Sequence, residues 1–334
     1  MAAGDASGGP LARLGADARD PEAALQAVRF ELYRENIYGA LEMLEAAHAA
    51  HPHPRYAEQI ERIRSWLGHL ASREAYISAQ DAQYRRLRWQ MGLKLIEKRV
   101  RMWLGRKTRK MIERRGRDPE FQALEREVAA VRPRSVLDAG SGEGGVAMGL
   151  AARHPDLEVD GVEVSATNVR IATRLNRFRN ARFRQGLAEE VHQVFPPGAF
   201  DLVYSFAVLE HVRDVEETIG SIMTVLRPGG RFCFVVPMHE FRAVGPIPDY
   251  APVHGYADHC RVFSESELYQ RFGHEAGFRL QKIPGAWKHG ELPACFEPIE
   301  FGSFFVSYSK PSTLSPPGNH PLSPRGRGQG EGNP

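Results

Sequence analysis

One carboxylate, Asp138, stands two residues ahead of a glycine cluster in Val136-Leu-Asp-Ala-Gly-Ser-Gly-Glu-Gly-Gly145, and the cluster runs into a helix-like stretch over 146–153. Only glycine lets a main chain turn this tightly and approach a ligand this closely, so a strand ending here would offer backbone N–H groups to a small molecule. Gly140, Gly142 and Gly145 satisfy the G-x-G-x-x-G spacing of a dinucleotide cradle, but spacing alone leaves the ligand open. A second acid, Glu163, closes the next strand-like run. Further along, His211, His239, His254 and His259 are imidazoles that could take a proton, with Glu240 and Tyr256 among them.

The charge at Asp138 narrows the choice of ligand. Beside a doubly anionic pyrophosphate a carboxylate at the strand's end costs energy, whereas beside an ammonium and a sulfonium it is favourable. The sign argues for S-adenosyl-L-methionine over NAD.

The elements that must hold these residues follow from an alternation of strand and helix that begins at Ser135. Strands are predicted over 135–139, 157–163, 181–185, 200–205, 231–237, 278–283 and 300–309. Helices are predicted over 144–153 and 166–178, the second capped by Ser165, with Asp214/Glu217 and Ser264/Glu267 starting two more that end near 226 and 276. The fold class is therefore α/β, a parallel sheet with helices on both faces. Residues 238–262, rich in His, Tyr and Pro, are expected to form a lid over an acceptor.

Before this domain the pattern is helical. Leu25, Val28 and Leu32 mark one helix, Ile37, Ala40, Leu41, Leu44 and Ala47 a second, and Ile60, Ile63, Leu67 and Leu70 a third. Ala40, Leu44, Ala47 and Pro52 fall at the spacing of a tetratricopeptide unit, but only one unit is visible, so a helical hairpin packed on something else is expected. The domain plan is 1–20 disordered, 21–131 helical, 132–310 the α/β domain and 311–334 a disordered tail.

Charge is uneven. Of 44 Lys and Arg against 41 Asp and Glu, fourteen bases and two acids fall in 85–117, so this segment carries +12 and the remainder −9. Within 84–115, Trp89, Leu93, Ile96, Val100 and Trp103 recur at helical spacing, giving an apolar face opposite a basic one. Such a helix either docks its stripe on the α/β domain or touches an anionic membrane surface or acceptor; contact with nucleic acid ranks last. Cys233, Cys260 and Cys295 form no C-x-x-C pair, which argues against a disulfide framework or structural zinc. Met1 to Pro10 lacks the charged and apolar regions of a signal peptide, and no stretch has the apolar length of a membrane span. The expectation is a cytoplasmic protein, with peripheral membrane contact through 84–115 as an added reading.

Four blocks in order, Asp138-Ala-Gly-Ser-Gly-Glu-Gly144, Gly161-Val-Glu-Val-Ser165, Phe200 to Val212 (with Leu209-Glu-His-Val212) and Leu226-Arg-Pro-Gly-Gly230, resemble the class I S-adenosylmethionine-dependent methyltransferases. The resemblance covers roughly the region from 135 to 284 and none of the helical N-terminus. It implies a Rossmann-like, doubly wound, seven-stranded sheet with a reversed last strand. It also implies that Gly140, Ser141, Gly142 and Gly144 line the methionine part of the cofactor, with Asp138 near its ammonium group. Glu163 would take both ribose hydroxyls, as its bidentate carboxylate also suggests. Family members often carry an Asp for the adenine amine where this chain has Leu187, so Glu189 or the backbone of Ala188 would serve instead. Ser205 and Phe206 would flank the transferred methyl.

Methyl transfer needs in-line attack, good orientation and, for a hydroxyl nucleophile, removal of a proton. His211, His254 and His259 are the catalytic candidates. Ubiquinone-pathway O-methyltransferases, which resemble the Leu209–Val212 run, place a further Glu where Ala207 stands, so no metal is expected, with Glu210 and His211 as partial ligands. Tyr204-Ser-Phe-Ala207 occupies the place of the N/D-P-P-Y/F run of nucleic-acid methylating enzymes, which lowers that class. The acceptor is expected to be a small molecule, a lipid-linked intermediate or a glycan, methylated on oxygen. The alternative is a cofactor-binding scaffold or regulator whose helical N-terminus recruits partners.

Overall fold

The computed structural model describes residues 10–14, 18–92, 106–252, 259–285 and 292–312. His254 and Tyr256, residues 93–105 of the basic segment, and the tail from 313 lie outside the described residues.

The helical N-terminus folds as a hairpin with one helix before it and one after. α1 is Pro10–Leu14, α2 Pro21–Tyr33, α3 Ile37–Ala50 and α4 Pro54–Trp66, with α2 and α3 forming the hairpin. Asp20 caps α2 by accepting from the N–H groups of Glu22 and Ala23 at 3.0 and 3.3 Å, and Pro21 follows at the first turn, where a missing N–H is harmless. Leu25, Val28, Ile37, Leu44, Tyr56 and Ile63 share one buried cluster. Leu14 joins them, so the disorder expected for 1–20 does not extend to α1: its leucine fills the end of this core.

α5, Arg73–Gly92, starts eleven residues ahead of the basic stretch, and α6 is Arg106–Arg115. The polar start of α5 is fixed by tertiary partners, Arg73 on Glu190 at 2.7 and 2.9 Å and Asp81 on the Ser165 hydroxyl at 2.8 Å. No helix among the described residues is long and apolar enough to cross a membrane.

α7, Pro119–Val131, leads into the α/β domain, where seven strands of the described residues form one sheet in the order β3-β2-β1-β4-β5-β7-β6. They are β1 Ser135–Ala139, β2 Glu158–Glu163, β3 Ala181–Gln185, β4 Phe200–Phe206, β5 Leu226–Ala243, β6 Arg279–Pro284 and β7 Phe296–Ser309. The first five run parallel and β7 runs antiparallel to both β5 and β6. This is the Rossmann-like sheet with a reversed last strand.

Strand alternation assigns the two faces. Val136, Leu202, Cys233 and Phe305 point to α7 and to α8, Gly145–Arg153. Leu137, Val203, Phe232 and Phe304 point to α11, Val215–Val225, and α12, Glu265–Phe272. Between them in sequence lie α9, Ala166–Leu175, and the single turn α10, Val191–Val194.

The expected end of β5 at 237 is corrected by six residues. Met238 to Ala243 stay paired with β7 as far as Ala243 opposite Phe296, with a register shift between Glu240 and Phe241. The cause is tertiary. Phe241 and Phe296 leave the sheet's own core and bury against Phe30 and Tyr33 of α2, so the two-stranded arm has something to pack on. The segment expected as lid therefore begins as strand.

The same arm is what the N-terminal hairpin packs against. Gln26 accepts from the N–H of Ile247 at 2.7 Å and donates to its carbonyl at 3.3 Å, and the N–H of Tyr38 donates to the carbonyl of Cys260 at 3.0 Å.

Candidate functional site

The order of strands reverses between β1 and β4, and at the carboxyl end of such a pair an open α/β sheet leaves a crevice. The glycine turn fills one side of it. The N–H groups of Gly140 and Ser141 both donate to the carbonyl of Val162, at 2.8 and 2.9 Å, which fastens the turn to β2. Gly140 has φ +101°, and a Cβ there would run into the side chain of Val208. Gly142 has φ +53° and nothing within 4 Å of where its Cβ would be. The first glycine is required by packing, and the second faces open space. Gly144 closes the turn onto the carbonyl of Ser141 at 2.8 Å and precedes α8. The hydroxyl of Ser141 is buried and has no hydrogen-bond partner among the described residues.

Two buried acids flank the turn. Glu163 accepts from the N–H of Gly142 on one oxygen and from the N–H of Ser165 on the other, each at 2.9 Å, with the Asn168 amide at 3.4 Å. Burial pushes its carboxyl up, opposed by those hydrogen bonds and by the nearby His211. Asp138, opposite Tyr204 in the register, is pushed up to about 7 by burial, with the Tyr204 phenol offsetting part of the rise and the charge of Glu163 adding to it. Burial and the charge of Asp138 in turn drive the Tyr204 phenol well above its ordinary value. Both carboxyls are thus held in a setting that penalises their charge, and a cation in the crevice would relieve it.

The remaining residues expected around the ligand divide. Ala188 and Glu189 lie on a short 3-10 turn, but Glu189 is buried and directed at the turn after β4, accepting from the N–H of Arg213 at 3.2 Å. Its carboxyl is pushed up, chiefly by burial. Leu187 and Ala188 are packed in the core. Ser205 departs from expectation: it is fully buried, and its hydroxyl donates to the carbonyl of Ala139 at 3.0 Å, tying β4 to β1. Alternation turns residue 205 inward and leaves Phe206 at the strand's open end. Ala207 follows with φ +54°, a left-handed backbone that is uncommon for alanine and that turns the chain sharply at the crevice.

That sharp turn presents Glu210 and His211. Arg261 holds the turn by donating to the carbonyls of Leu209, Val212 and Arg213, with its guanidinium over the ring of Tyr38 at 5.0 Å. The N–H of Cys260 donates to the carbonyl of Glu210 at 2.9 Å. His259 is thereby brought edge-on to His211, ring centroids 4.6 Å apart, with His239 of β5 stacked 6.4 Å on the other side. Glu35, from the turn between α2 and α3, reaches His259 Nδ1 at 2.5 Å and His239 Nδ1 at 3.6 Å. Glu210, His211 and His259 are the described residues whose spacing could hold a metal ion.

The structure therefore joins Asp138, the glycine turn and Glu163 into one group, and His211 and His259 with Glu210 into a second that borders it. His254 lies outside the described residues. Sequence reasoning passed over Glu35 and Tyr204. Glu35 has no motif around it, and only its φ of +66° sets it apart, whereas Tyr204 was identifiable as the residue of a strand expected beside β1.

Compared with known proteins, residues 108–283, just over half of the chain, match the sequence model of a family described as a methyltransferase domain. Ajmaline N-methyltransferase of Rauvolfia serpentina is 29% identical over 111 residues, 33% of this chain and 38% of that protein. Demethylmenaquinone methyltransferase of Thermus thermophilus is 34% identical over 99 residues, 30% of this chain and 45% of that protein. The ubiquinone biosynthesis O-methyltransferase of an Azoarcus species is 30% identical over 161 residues, 46% of this chain and 67% of that protein. The chain spans less than half the length of the first two. Glu35 lies outside the family region, which begins at 108.

Proposed function

We propose, given that the chain belongs to the class I S-adenosylmethionine-dependent methyltransferases, that it methylates a hydroxyl oxygen of a small molecule, a lipid-linked intermediate or a glycan. The observation that carries this reading is the adjacency of two differently built halves, the glycine turn with its buried acids and the carboxylate–imidazole cluster at its edge.

The first half fits the cofactor. The space beside Gly142 is open, the Ser141 hydroxyl is buried without a partner, and Asp138 and Glu163 are carboxyls that a cationic ligand would favour in their charged form. Asp138 would answer the ammonium group, Glu163 the ribose hydroxyls, and Gly140 to Gly144 the methionine backbone. The adenine falls to the Leu187–Glu189 stretch, where apolar packing and main chain replace the missing Asp. When bound, S-adenosyl-L-methionine supplies a methyl carbon made electrophilic by its sulfonium, whose bond to sulfur breaks with the electron pair remaining on sulfur. The chain's own contribution is positional: the turn after β4, clamped by Arg261, sets the cluster beside the crevice, and Phe206 stands at the strand's end, edge-on to Tyr204. The acceptor's hydroxyl proton is removed at the Glu210–His211–His259 cluster.

Incubating the protein with methyl-labelled S-adenosyl-L-methionine and fractionated lysate, followed by mass analysis, is expected to give a labelled, oxygen-methylated product. Tight cofactor binding without label in any fraction would replace this reading with the scaffold or regulatory one.

The basic segment 84–115 supports peripheral contact with an anionic membrane or an anionic acceptor, because +12 of charge is concentrated over 85–117. Co-sedimentation with phosphatidylserine vesicles at low salt is expected, and to weaken as salt rises. Absence of binding at low salt would remove the membrane from the reading.

A further inference from the structure

Helix α5 bridges two loops of the α/β domain. Arg73 forms a bidentate pair with Glu190, at 2.7 and 2.9 Å, at the end of the 3-10 turn that follows β3. About two turns further on, one oxygen of Asp81 accepts from the Ser165 hydroxyl at 2.8 Å and from the N–H of Thr167 at 3.1 Å, at the start of α9. The helix rises about 12 Å from 73 to 81, so this stretch spans from the loop after β3 to the loop after β2. Beside the second anchor stands Gln80. It is 5% exposed, and its amide nitrogen is enclosed without a hydrogen-bond partner among the described residues. Arg73, Tyr76 and Gln80 recur at helical spacing and share one face, the face that Arg73 turns to Glu190. A buried amide without a partner is costly, and it is kept where a ligand answers it.

The order of the strand ends says which part of a ligand reaches this face. β1, β2 and β3 are neighbours in the sheet. With the methionine part at the glycine turn after β1 and the ribose at Glu163 on the end of β2, the base continues toward the end of β3. The side chains of the turn there are already committed: Leu187 and Ala188 are apolar and packed in the core, Glu189 accepts from the N–H of Arg213, and Glu190 is paired with Arg73. Adenine carries a donor, its 6-amino group, next to an acceptor ring nitrogen, and a carboxamide carries an acceptor next to a donor in the matching geometry.

We propose that Gln80 reads the adenine of S-adenosyl-L-methionine, its carbonyl oxygen accepting from the 6-amino group and its amide nitrogen donating to the neighbouring ring nitrogen. Arg73 and Asp81 are the positioning residues that hold α5 across the site. The proposal rests on the placement of the ribose at Glu163. Recognition of the base then comes from the helical N-terminus, outside the family region that begins at 108.

The test uses the full chain, calorimetry and S-adenosyl-L-homocysteine, together with one analogue lacking the 6-amino group and one lacking the ribose 2′-hydroxyl. The unaltered chain should bind the parent compound roughly 10- to 100-fold more tightly than the desamino analogue. In Gln80→Leu that preference should fall to within about twofold, while the penalty for the missing 2′-hydroxyl persists. The same variant should melt no lower than the unaltered chain, because leucine removes an enclosed amide that the free protein leaves unanswered. A glutamine with only a structural role would lower the melting temperature and leave the preference intact. Should the variant fail to fold, a 2-azidoadenine derivative photolysed on the unaltered chain should label the peptide that carries Gln80. Equal affinity of the unaltered chain for the parent and the desamino analogue, an unchanged 6-amino preference in Gln80→Leu, or label confined to other peptides would each overturn the assignment. Glu163→Gln should shrink the 2′-hydroxyl penalty and keep the 6-amino preference; an unchanged 2′-hydroxyl penalty there would overturn the ribose placement instead.

Discussion

Gly142→Arg abolishes S-adenosyl-L-methionine binding while the chain still folds. This is expected because the position is asymmetric in its demands. Its backbone lies in the left-handed region at φ +53°, which costs an L-residue about 1–2 kcal/mol. Its Cβ direction, however, meets nothing within 4 Å, so no protein atom has to move. The added side chain therefore occupies the space assigned to the cofactor, and its guanidinium competes there for Asp138 and Glu163. Calorimetry should show no measurable binding heat, and the melting temperature should fall by no more than a few degrees. An unchanged affinity would remove the cofactor from this turn. Gly140→Ala is the contrasting case, because its Cβ collides with Val208, so that stability rather than binding space is lost first.

Asp138 should make cofactor affinity depend on pH in the neutral range. Its carboxyl is raised to about 7 from a reference of 3.8, chiefly by burial, with Tyr204, Glu163 and Arg115 as the groups that face it. A cationic ligand favours the ionised form, so binding releases a proton wherever the free protein holds one. Affinity should be about tenfold weaker at pH 6 than at pH 8, and calorimetry in buffers of different ionisation enthalpy should register the released proton. Asp138→Asn should abolish that dependence and weaken binding at pH 8 by roughly 10- to 100-fold. Stability moves in the opposite direction. Because the folded pKa lies above the unfolded one, the folded chain keeps a proton that the unfolded chain has lost, so stability falls as pH rises from about 4 to 7. Above that range Asp138→Asn should melt no lower than the unaltered chain. A pH-independent affinity, or a variant that loses both binding and fold at pH 8, would mean that Asp138 serves the strand and not the ligand.

Much of the α/β domain was legible before any coordinates. The start and end of β1 and β3 fall where alternation and turn residues place them, and Asp214 and Ser264 cap their helices through the N–H groups of Glu217 and Glu267. These features are local: period-two hydrophobicity, an oxygen three residues ahead of an orphan N–H, a glycine where φ is positive. The errors share one cause, a partner distant in sequence. β5 runs on to Ala243 because Phe241 finds Phe30, and α5 begins at Arg73 because Glu190 and Ser165 receive its polar side chains. Ser205 stood at the right end of the right strand, yet its hydroxyl is taken by Ala139.

By itself the sequence determined the family, the sheet and the grouping of the glycine turn with Asp138 and Glu163, because these lie within one β-α-β stretch whose geometry is set by near neighbours. What only the tertiary structure decided is the other half. Glu35, His239, His259 and the Glu210–His211 turn are separated by up to more than two hundred residues, and no periodicity connects them. They meet because the helical hairpin buries Phe30 and Tyr33 on the β5–β7 arm while Arg261 draws the turn after β4 onto the segment behind it. Packing of apolar side chains thus brought together the polar ones, an outcome set by which surfaces fit and not by the spacing of any motif.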